Sequence, residues 1–500
     1  MFRHDPLPFT TRLLWKHFVT ILLSVGSRHS LLQEVSALSS RLSSTFVPVS
    51  HRRSCFMCTT TAGSKRVAVI GAGAGGLVAA KLLRDDGFAV RVFESADQLG
   101  GIWVYDKASP LYKSLRTNIP KEIMAYSDFP FDAGLPSFVK HTDVLAYLRS
   151  YADHFALHDM ISLSTPVETA EYVSGESGQG WRINGEEALY PSLFVSNGHY
   201  NTPRYPRLVK NEFRGLVTHS KFYKEPSPYA DQRVLVVGGG PSGVDLAWEL
   251  HSVAKSVVWA DSSFADPETA EATKSKLPSN VELVGRVEGL EEDGRYLVIG
   301  PDGSTVTSDD RVDAVIWATG YKYDFPFFSP SSGLIPSTDG SPQPLFDSLY
   351  VHLFHKAHSA SLFFLGLPVR IIPFPMMESQ TKAAIAVMKG RVKTEDLASL
   401  PVFPWVMSNE QFPYCALLEQ LAKGTHHSFP RSTDPANDPT YDTMKLPRDI
   451  ELRRQMYADS SLAKRRVPGR YRERNYRVLG AKGEGEIEWE VTEVPEPVAA

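Results

Sequence analysis

Arg66–Gly76 reads RVAVIGAGAGG and Arg233–Gly243 reads RVLVVGGGPSG. In each copy an apolar run of strand character leads into G-x-G-x-x-G and then into an amphipathic helical pattern. The glycines are Gly71, Gly73 and Gly76 in the first copy, and Gly238, Gly240 and Gly243 in the second. One glycine turns the chain tightly, the next lets the backbone approach a pyrophosphate, and the last lets helix and strand pack closely. The anion then rests on the helix N-terminus, where unpaired N–H groups and the dipole favour negative charge. A lone motif of this kind is weak evidence, but here its context recurs. After the first copy a helix runs through Leu77–Arg84, Gly87 ends it, AVRVF makes a second strand, and Glu94 follows 23 residues from Gly71. After the second come a helix through Val244–Val253, a strand SVVWA, and Asp261 at 23 residues from Gly238. An acidic residue about 20 residues on suits the ribose hydroxyls of a dinucleotide. For either residue alone a surface carboxylate is the plainer reading; the matched offset favours the ligand for both. LFVSNGH (Leu193–His199) and VDAVIWATGY (Val312–Tyr321) read as further strands whose C-terminal turns face a cofactor. Two dinucleotide folds imply one flavin and one nicotinamide, with electrons passing from the second to the first.

Composition sets outer bounds. A chain of 500 residues exceeds one core and predicts more than one domain. With 42% apolar residues and a formal net charge of -4, it is neither a disordered chain nor a strongly basic nucleic-acid binder. Three cysteines form no disulfide framework and point to a reducing compartment. No run of about 18 apolar residues is present, so neither a spanning helix nor a C-terminal membrane anchor is expected. Residues 1–64 carry seven Lys+Arg but only Asp5 and Glu34 as acids, with abundant Ser and Thr. That pattern reads first as an organelle transit peptide, which would place the protein in a plastid or mitochondrion. A signal sequence around Phe18–Val25 is the rival, and translation from Met57 would leave the protein cytoplasmic. Cys55 and Cys58 form a CxxC without a second ligand pair and read as chance. At the other end, residues 445–477 hold 11 Lys+Arg and 483–500 hold six Glu and no basic residue, blocks expected to be solvated.

Among flavoenzymes, dithiol–disulfide chemistry needs a cysteine pair beside the flavin, and none lies between Cys58 and Cys415. Between the two glycine motifs stands Phe213-Arg-Gly215-Leu-Val-Thr-His219-Ser-Lys-Phe-Tyr223. This resembles the F-x-G-x-x-x-H-x-x-x-(Y/F) signature of the flavin-containing monooxygenases. The likeness extends, in family order, to GGIW (Gly100–Trp103), YKSLRTNIPKEIMAYSDFPF (Tyr112–Phe131), SNGHY (Ser196–Tyr200) and ATGYKYDFPF (Ala318–Phe327). FLGLPVRIIPFPMMESQ (Phe364–Gln380) is similar to the late segment of the fungal and plant S-oxygenating branch. Baeyer–Villiger relatives end the signature in Trp, whereas Tyr223-Lys224 stands here and favours oxygenation of a heteroatom.

The resemblance implies FAD, NADPH and O2 as reactants, a C4a-hydroperoxyflavin, and transfer of oxygen to a soft sulfur or nitrogen nucleophile, a small thioether or amine. A dry site is then required, since water would release peroxide. It implies that Gly71, Ala72, Gly73, Ala74, Gly75 and Gly76 cradle FAD, that Glu94 holds its ribose, and that Ile102, Trp103 and Thr117 line it. Asn118 is the expected catalytic residue: an amide offers donor and acceptor without titrating. A turn asparagine before Pro120 is the plainer alternative. For NADPH it implies Gly238, Gly240, Ser242, Gly243, Val244 and Asp245, with Asp261 at the ribose and Thr319 and Gly320 on the returning crossover. His219 reads as structural, and Gln380 as a weaker candidate facing the flavin.

The expected architecture is α/β with two Rossmann-like domains, the nicotinamide domain (206–324) inserted in a discontinuous FAD domain (65–205 and 325–445), followed by a charged tail (446–500). Two other functions stay open from sequence: an NAD(P)H oxidase releasing hydrogen peroxide, and a redox-inactive FAD-binding protein. Asp261 also argues with the family over coenzyme, because a carboxylate near a 2′-phosphate is repulsive by roughly 1 kcal/mol even at water-like dielectric. NADPH is the default, with tolerance of NADH expected; Ser262, Ser263, Lys274, Lys276 or Lys221 would be the compensating groups.

Overall fold

Arg66–Ile70 is buried after its first residue and lies inside a parallel sheet, where a continuous apolar run is what burial on both faces demands. The computed structural model describes residues 66–175, 178–300, 302–336, 341–426, 446–482 and 486–492. Residues 1–65, with Cys55 and Cys58 and the expected transit-peptide pattern, lie outside them, as does part of the Ser/Pro/Gly-rich 329–344 stretch.

The first sheet has the order Leu349–Tyr350, Phe354–His355, Leu362–Phe364, Ser192–Val195, Arg66–Ile70, Ala89–Phe93, Ile161–Ser162. Its last five strands are parallel. Leu362–Phe364 pairs with Ser192–Val195 although about a third of the chain separates them, so this domain is discontinuous. The intervening chain builds a second parallel sheet, Leu216–His219, Ala314–Trp317, Arg233–Val237, Ser256–Ala260, Val281–Val284. A smaller four-stranded sheet leans on it, from Lys210–Asn211 through Val287–Leu290 and Tyr296–Ile299 to Thr305–Thr307. Where the chain crosses between domains, Thr202–Pro203 and Tyr321–Lys322 pair antiparallel. Both sheets are covered on both faces. Leu77, Val78 and Leu83 of the Ala74–Asp85 helix are fully buried against the first; each such side chain contributes about 1.5–3 kcal/mol.

Three helices differ from their expected bounds, the first running Ala74–Asp85 and so starting three residues before Leu77. The helix after the second motif runs Pro241–Leu250, starting three residues early with Pro241 at its first position, where a missing N–H costs nothing. The late helix begins at Pro373, five residues before the expected ESQTKAAIAVM run, and holds Pro375 in its first turn for the same reason.

The tail corrects a larger expectation. Arg448–Arg466 is a helix whose Ile450, Met456, Ser460 and Ala463 are buried, and Tyr471 and Tyr476 join the flavin-domain core. Asn475–Lys482 and Glu486–Thr492 follow as an antiparallel pair. Its charges are accommodated by short-range pairing, Arg453 with Asp449 at 2.8 Å and Arg454 with Glu451 at 2.5 Å.

Candidate functional site

In both parallel sheets the chain runs outward from the central strand and then returns on its other side. The crevice left at the strand ends is where open α/β sheets bind ligands. Gly71 sits there in one sheet and Gly238 in the other, with φ of +97° and +128°, which a side chain rarely adopts. A Cβ on Gly71 would lie 2.5 Å from the Ser196 carbonyl oxygen, and one on Gly238 2.3 Å from that of Ala318. The third glycines are tighter: a Cβ on Gly76 or Gly243 would fall 1.8 Å from the carbonyl oxygen of Gly71 or Gly238. A Cβ on Gly75 would strike Ser196 Oγ at 2.3 Å.

The middle glycines behave differently. A Cβ on Gly73 would meet only Gly101 at an ordinary 3.5 Å, and one on Gly240 would meet nothing within 4 Å. Both have φ in the range open to any residue, -77° and -72°. The protein itself therefore does not require glycine at these positions; a group approaching the backbone from outside does. The helices starting at Ala74 and Pro241 have no side-chain cap and no acid in their first turns, leaving their N–H groups for an anion. The Thr117 hydroxyl is buried with no hydrogen-bond partner among the described residues, on a loop whose carbonyl accepts from Arg472 Nε. Uncapped N–H groups and open middle glycines fit a bound dinucleotide at each loop.

Glu94 is buried at the rim of the first loop, where Oε2 accepts from Ala72 N–H at 2.6 Å and Oε1 from Ala96 N–H at 2.8 Å. Asp261 holds the corresponding position: Oδ1 accepts from Ser263 N–H at 3.0 Å and from its hydroxyl at 2.6 Å, and Oδ2 faces Gly239. It does not point into solvent. Of its expected compensators, Ser263 is bonded to it, Lys221 donates to Asn201, and Lys274 donates to the Val281 carbonyl.

The Gly101–Trp103 turn closes over the first loop, Gly100 N–H donating to the Ala72 carbonyl at 3.0 Å. Ile102 is 36% exposed, and Trp103 packs edge-on against Phe374. Asn118 is exposed on the bend before Pro120, with its amide unbonded to any described residue, while Thr117 N–H fixes the loop to the Val139 carbonyl at 2.9 Å. Ser242 and Val244 lie half-buried in the first turn of the second helix.

Asp245 and Gln380 are engaged by the protein itself, and Thr319 and Gly320 lie on the returning crossover as expected. The Asp245 carboxylate accepts from Tyr112 and from Arg472, so it pins protein to protein. Thr319 and Gly320 stitch the returning crossover, their carbonyls accepting from Arg204 Nε and Arg204 N–H, each at 3.0 Å. Gln380 is fully buried, its Oε1 accepting from the Gly366 N–H and its Nε2 donating to the Tyr414 hydroxyl. His219, also fully buried, accepts from Lys221 N–H through Nδ1 and donates from Nε2 to the Gly320 carbonyl. Burial pushes it down to about 4, which suits a structural histidine. His199 is likewise pushed down to about 4 by burial and stacks between Tyr200 and Tyr323. These rings, with Tyr321, line the strand ends at the domain crossing; the segments SNGHY and ATGYKYDFPF were read from sequence, but His199, Tyr200 and Tyr323 were given no role of their own.

Comparison with known proteins agrees with this geometry. The flavin-binding monooxygenase-like family model matches residues 64–288 and 271–400. The Arabidopsis thaliana flavin-containing monooxygenase FMO GS-OX-like 2 is 38% identical over 362 residues, 66% of this chain and 75% of that protein. S-allyl-L-cysteine S-oxygenase from Allium sativum shares the fold with a TM-score of 0.64 and 28% identity, over 82% of this chain and 95% of its own. A flavin-containing monooxygenase from Stenotrophomonas maltophilia, at 22% identity and a TM-score of 0.51, covers 66% of this chain and 99% of its own and speaks to fold alone.

Proposed function

Because the chain belongs to the flavin-binding monooxygenase-like family, whose enzymes work with FAD, NADPH and O2, we propose that its substrate is a small thioether oxygenated at sulfur. The observation that carries this reading is the likeness to an S-oxygenase across most of both chains. The balance is thioether, O2, NADPH and a proton giving sulfoxide, water and NADP+. Bound FAD and NADPH supply the electron pair and the oxygen-transfer chemistry.

The protein's part is to hold, orient and keep dry. Gly71–Gly76 and the N-terminus of the Ala74–Asp85 helix hold the FAD pyrophosphate, with Glu94 at the ribose. Gly238–Gly243 and the Pro241–Leu250 helix hold that of NADPH, with Asp261 at its ribose. Asn118 presents an uncommitted amide from a fixed loop, able to donate and accept without changing charge. The rings of Tyr321 and Tyr323, packed on Tyr200 and His199, narrow the strand ends at the domain crossing.

The test measures product and hydrogen peroxide per NADPH consumed, with thioethers and tertiary amines side by side. Wild type turns over thioethers with little peroxide. Asn118→Ala keeps FAD but loses product yield by about tenfold or more, as expected for removal of a positioned donor. Turnover of amines with thioethers untouched overturns the substrate; an unchanged yield in Asn118→Ala overturns the residue.

A further inference from the structure

The stretch after the Arg448–Arg466 helix lies across both domains. Gly469 packs on Trp248 of the Pro241–Leu250 helix so closely that a Cβ there would be 2.8 Å from the ring. Three residues on, Arg472 Nε donates to the Thr117 carbonyl at 3.0 Å. Its Nη1 and Nη2 donate to the two oxygens of Asp245 at 3.2 and 2.8 Å. The Tyr112 hydroxyl donates to the same carboxylate at 2.5 Å. The ion pair is largely buried, its side chains 24% and 13% exposed. One guanidinium thus joins the peptide bearing Asn118 to the helix behind the second glycine loop. Arg472 also lies beyond residue 400, where the family model ends.

A buried ion pair is a poor way to gain stability, because desolvation offsets most of the attraction; its planar fork is a good way to fix a geometry. We infer that the C-terminal segment is a strap between the domains and that Arg472 is a positioning residue, setting how the coenzyme helix seats against the Asn118 loop. Loosening it weakens the hold on NADP+ and lets reducing equivalents escape as peroxide. The peroxide effect rests on the Asn118 reading above; the affinity effect does not.

The experiment uses full-length holoenzyme carrying Arg472→Met, Arg472→Lys, Asp245→Asn, or Arg472→Met with Asp245→Asn. FAD content, Tm, the Kd of NADP+ and product per NADPH are measured for each. Arg472→Met is expected to keep FAD and raise the NADP+ Kd within the roughly 5–150-fold span of ordinary site coupling. Lysine, lacking the fork, does not restore it. Asp245→Asn gives a similar loss, and the double variant is little worse than either single one. A lowered Tm with NADP+ affinity and product yield unchanged overturns the proposal and leaves a structural tie only. Should Arg472→Met fail to fold, the same two readouts on Asp245→Asn decide. Asn118→Ala, assayed in parallel, keeps NADP+ affinity; its failure to uncouple sinks the Asn118 reading without touching the affinity result.

Discussion

The two glycine loops are built alike and finished differently. Each turns at a positive-φ glycine wedged against the neighbouring strand's carbonyl, and each packs its third glycine on the first. Over the first loop the Gly101–Trp103 turn closes, bonded through Gly100, and Glu94 at its rim is buried. Over the second no described segment closes in this way: a Cβ on Gly240 would meet nothing within 4 Å, and Asp261 is half-exposed at the rim. One recipe thus makes a retaining site and an exchanging one, as a resident flavin and a consumed coenzyme require. What differs is the cover, which comes from distant sequence.

The sharpest way to break this comparison is to add one methyl group to either loop. Gly76→Ala and Gly243→Ala each demand a Cβ 1.8 Å from a backbone oxygen, beyond the roughly 1–3 kcal/mol of ordinary overpacking. Gly76→Ala is expected to yield colourless protein, and Gly243→Ala yellow protein that NADPH no longer reduces. Gly240→Ala, by contrast, leaves Tm unchanged and raises KM for NADPH. Absorbance at purification and a melting curve decide; a yellow Gly76→Ala protein or a destabilised Gly240→Ala protein contradicts the account.

A second test asks whether the domains share a liability. His199 at the end of a flavin-domain strand and His219 at the end of a coenzyme-domain strand are both held near 4 by burial, below the ordinary 6.5. As pH falls the unfolded chain takes up these protons first, so stability is full above about pH 6.5 and declines toward pH 4. Each histidine contributes up to about 1.4 kcal/mol per pH unit in that window. Tm should therefore rise from pH 4.5 to 6.5 and then level, and His219→Gln should flatten the slope. A slope unaltered by the substitution counts against a buried, neutral His219.

The smallest effect concerns the open loop. Asp261 Oδ2 faces Gly239, and no cation is paired with the carboxylate among the described residues. Replacing it by Ser removes a repulsion of about 1 kcal/mol on a 2′-phosphate, so the kcat/KM ratio of NADPH over NADH should rise about fivefold. Steady-state kinetics with both coenzymes read this directly, and an unchanged ratio removes Asp261 from the coenzyme site.

The glycine loops, the strands after them and the acidic residues at matched offsets were legible because a tight turn and a close helix–strand contact are local demands. Glu94 and Asp261 follow their strands as the offset predicts. The Asp245–Arg472 pair was not legible, since 227 residues separate its members. The tail was misread for another reason. Its charge density outweighs the few widely spaced apolar residues, Ile450, Met456 and Ala463, that the helix buries. Gln380 was drawn toward the flavin by its neighbours in the motif, whereas helix geometry turns it into the core.

The short pairing of Thr202–Pro203 with Tyr321–Lys322 has a consequence for how such a molecule arises. The chain leaves and rejoins the flavin domain at points one strand pair apart, about 5 Å. A parent fold can accept a whole folded module at such a point without separating its own halves, as domain insertion generally requires. The inserted module then joins its host along a short seam, the stitch of Arg204 with Thr319 and Gly320.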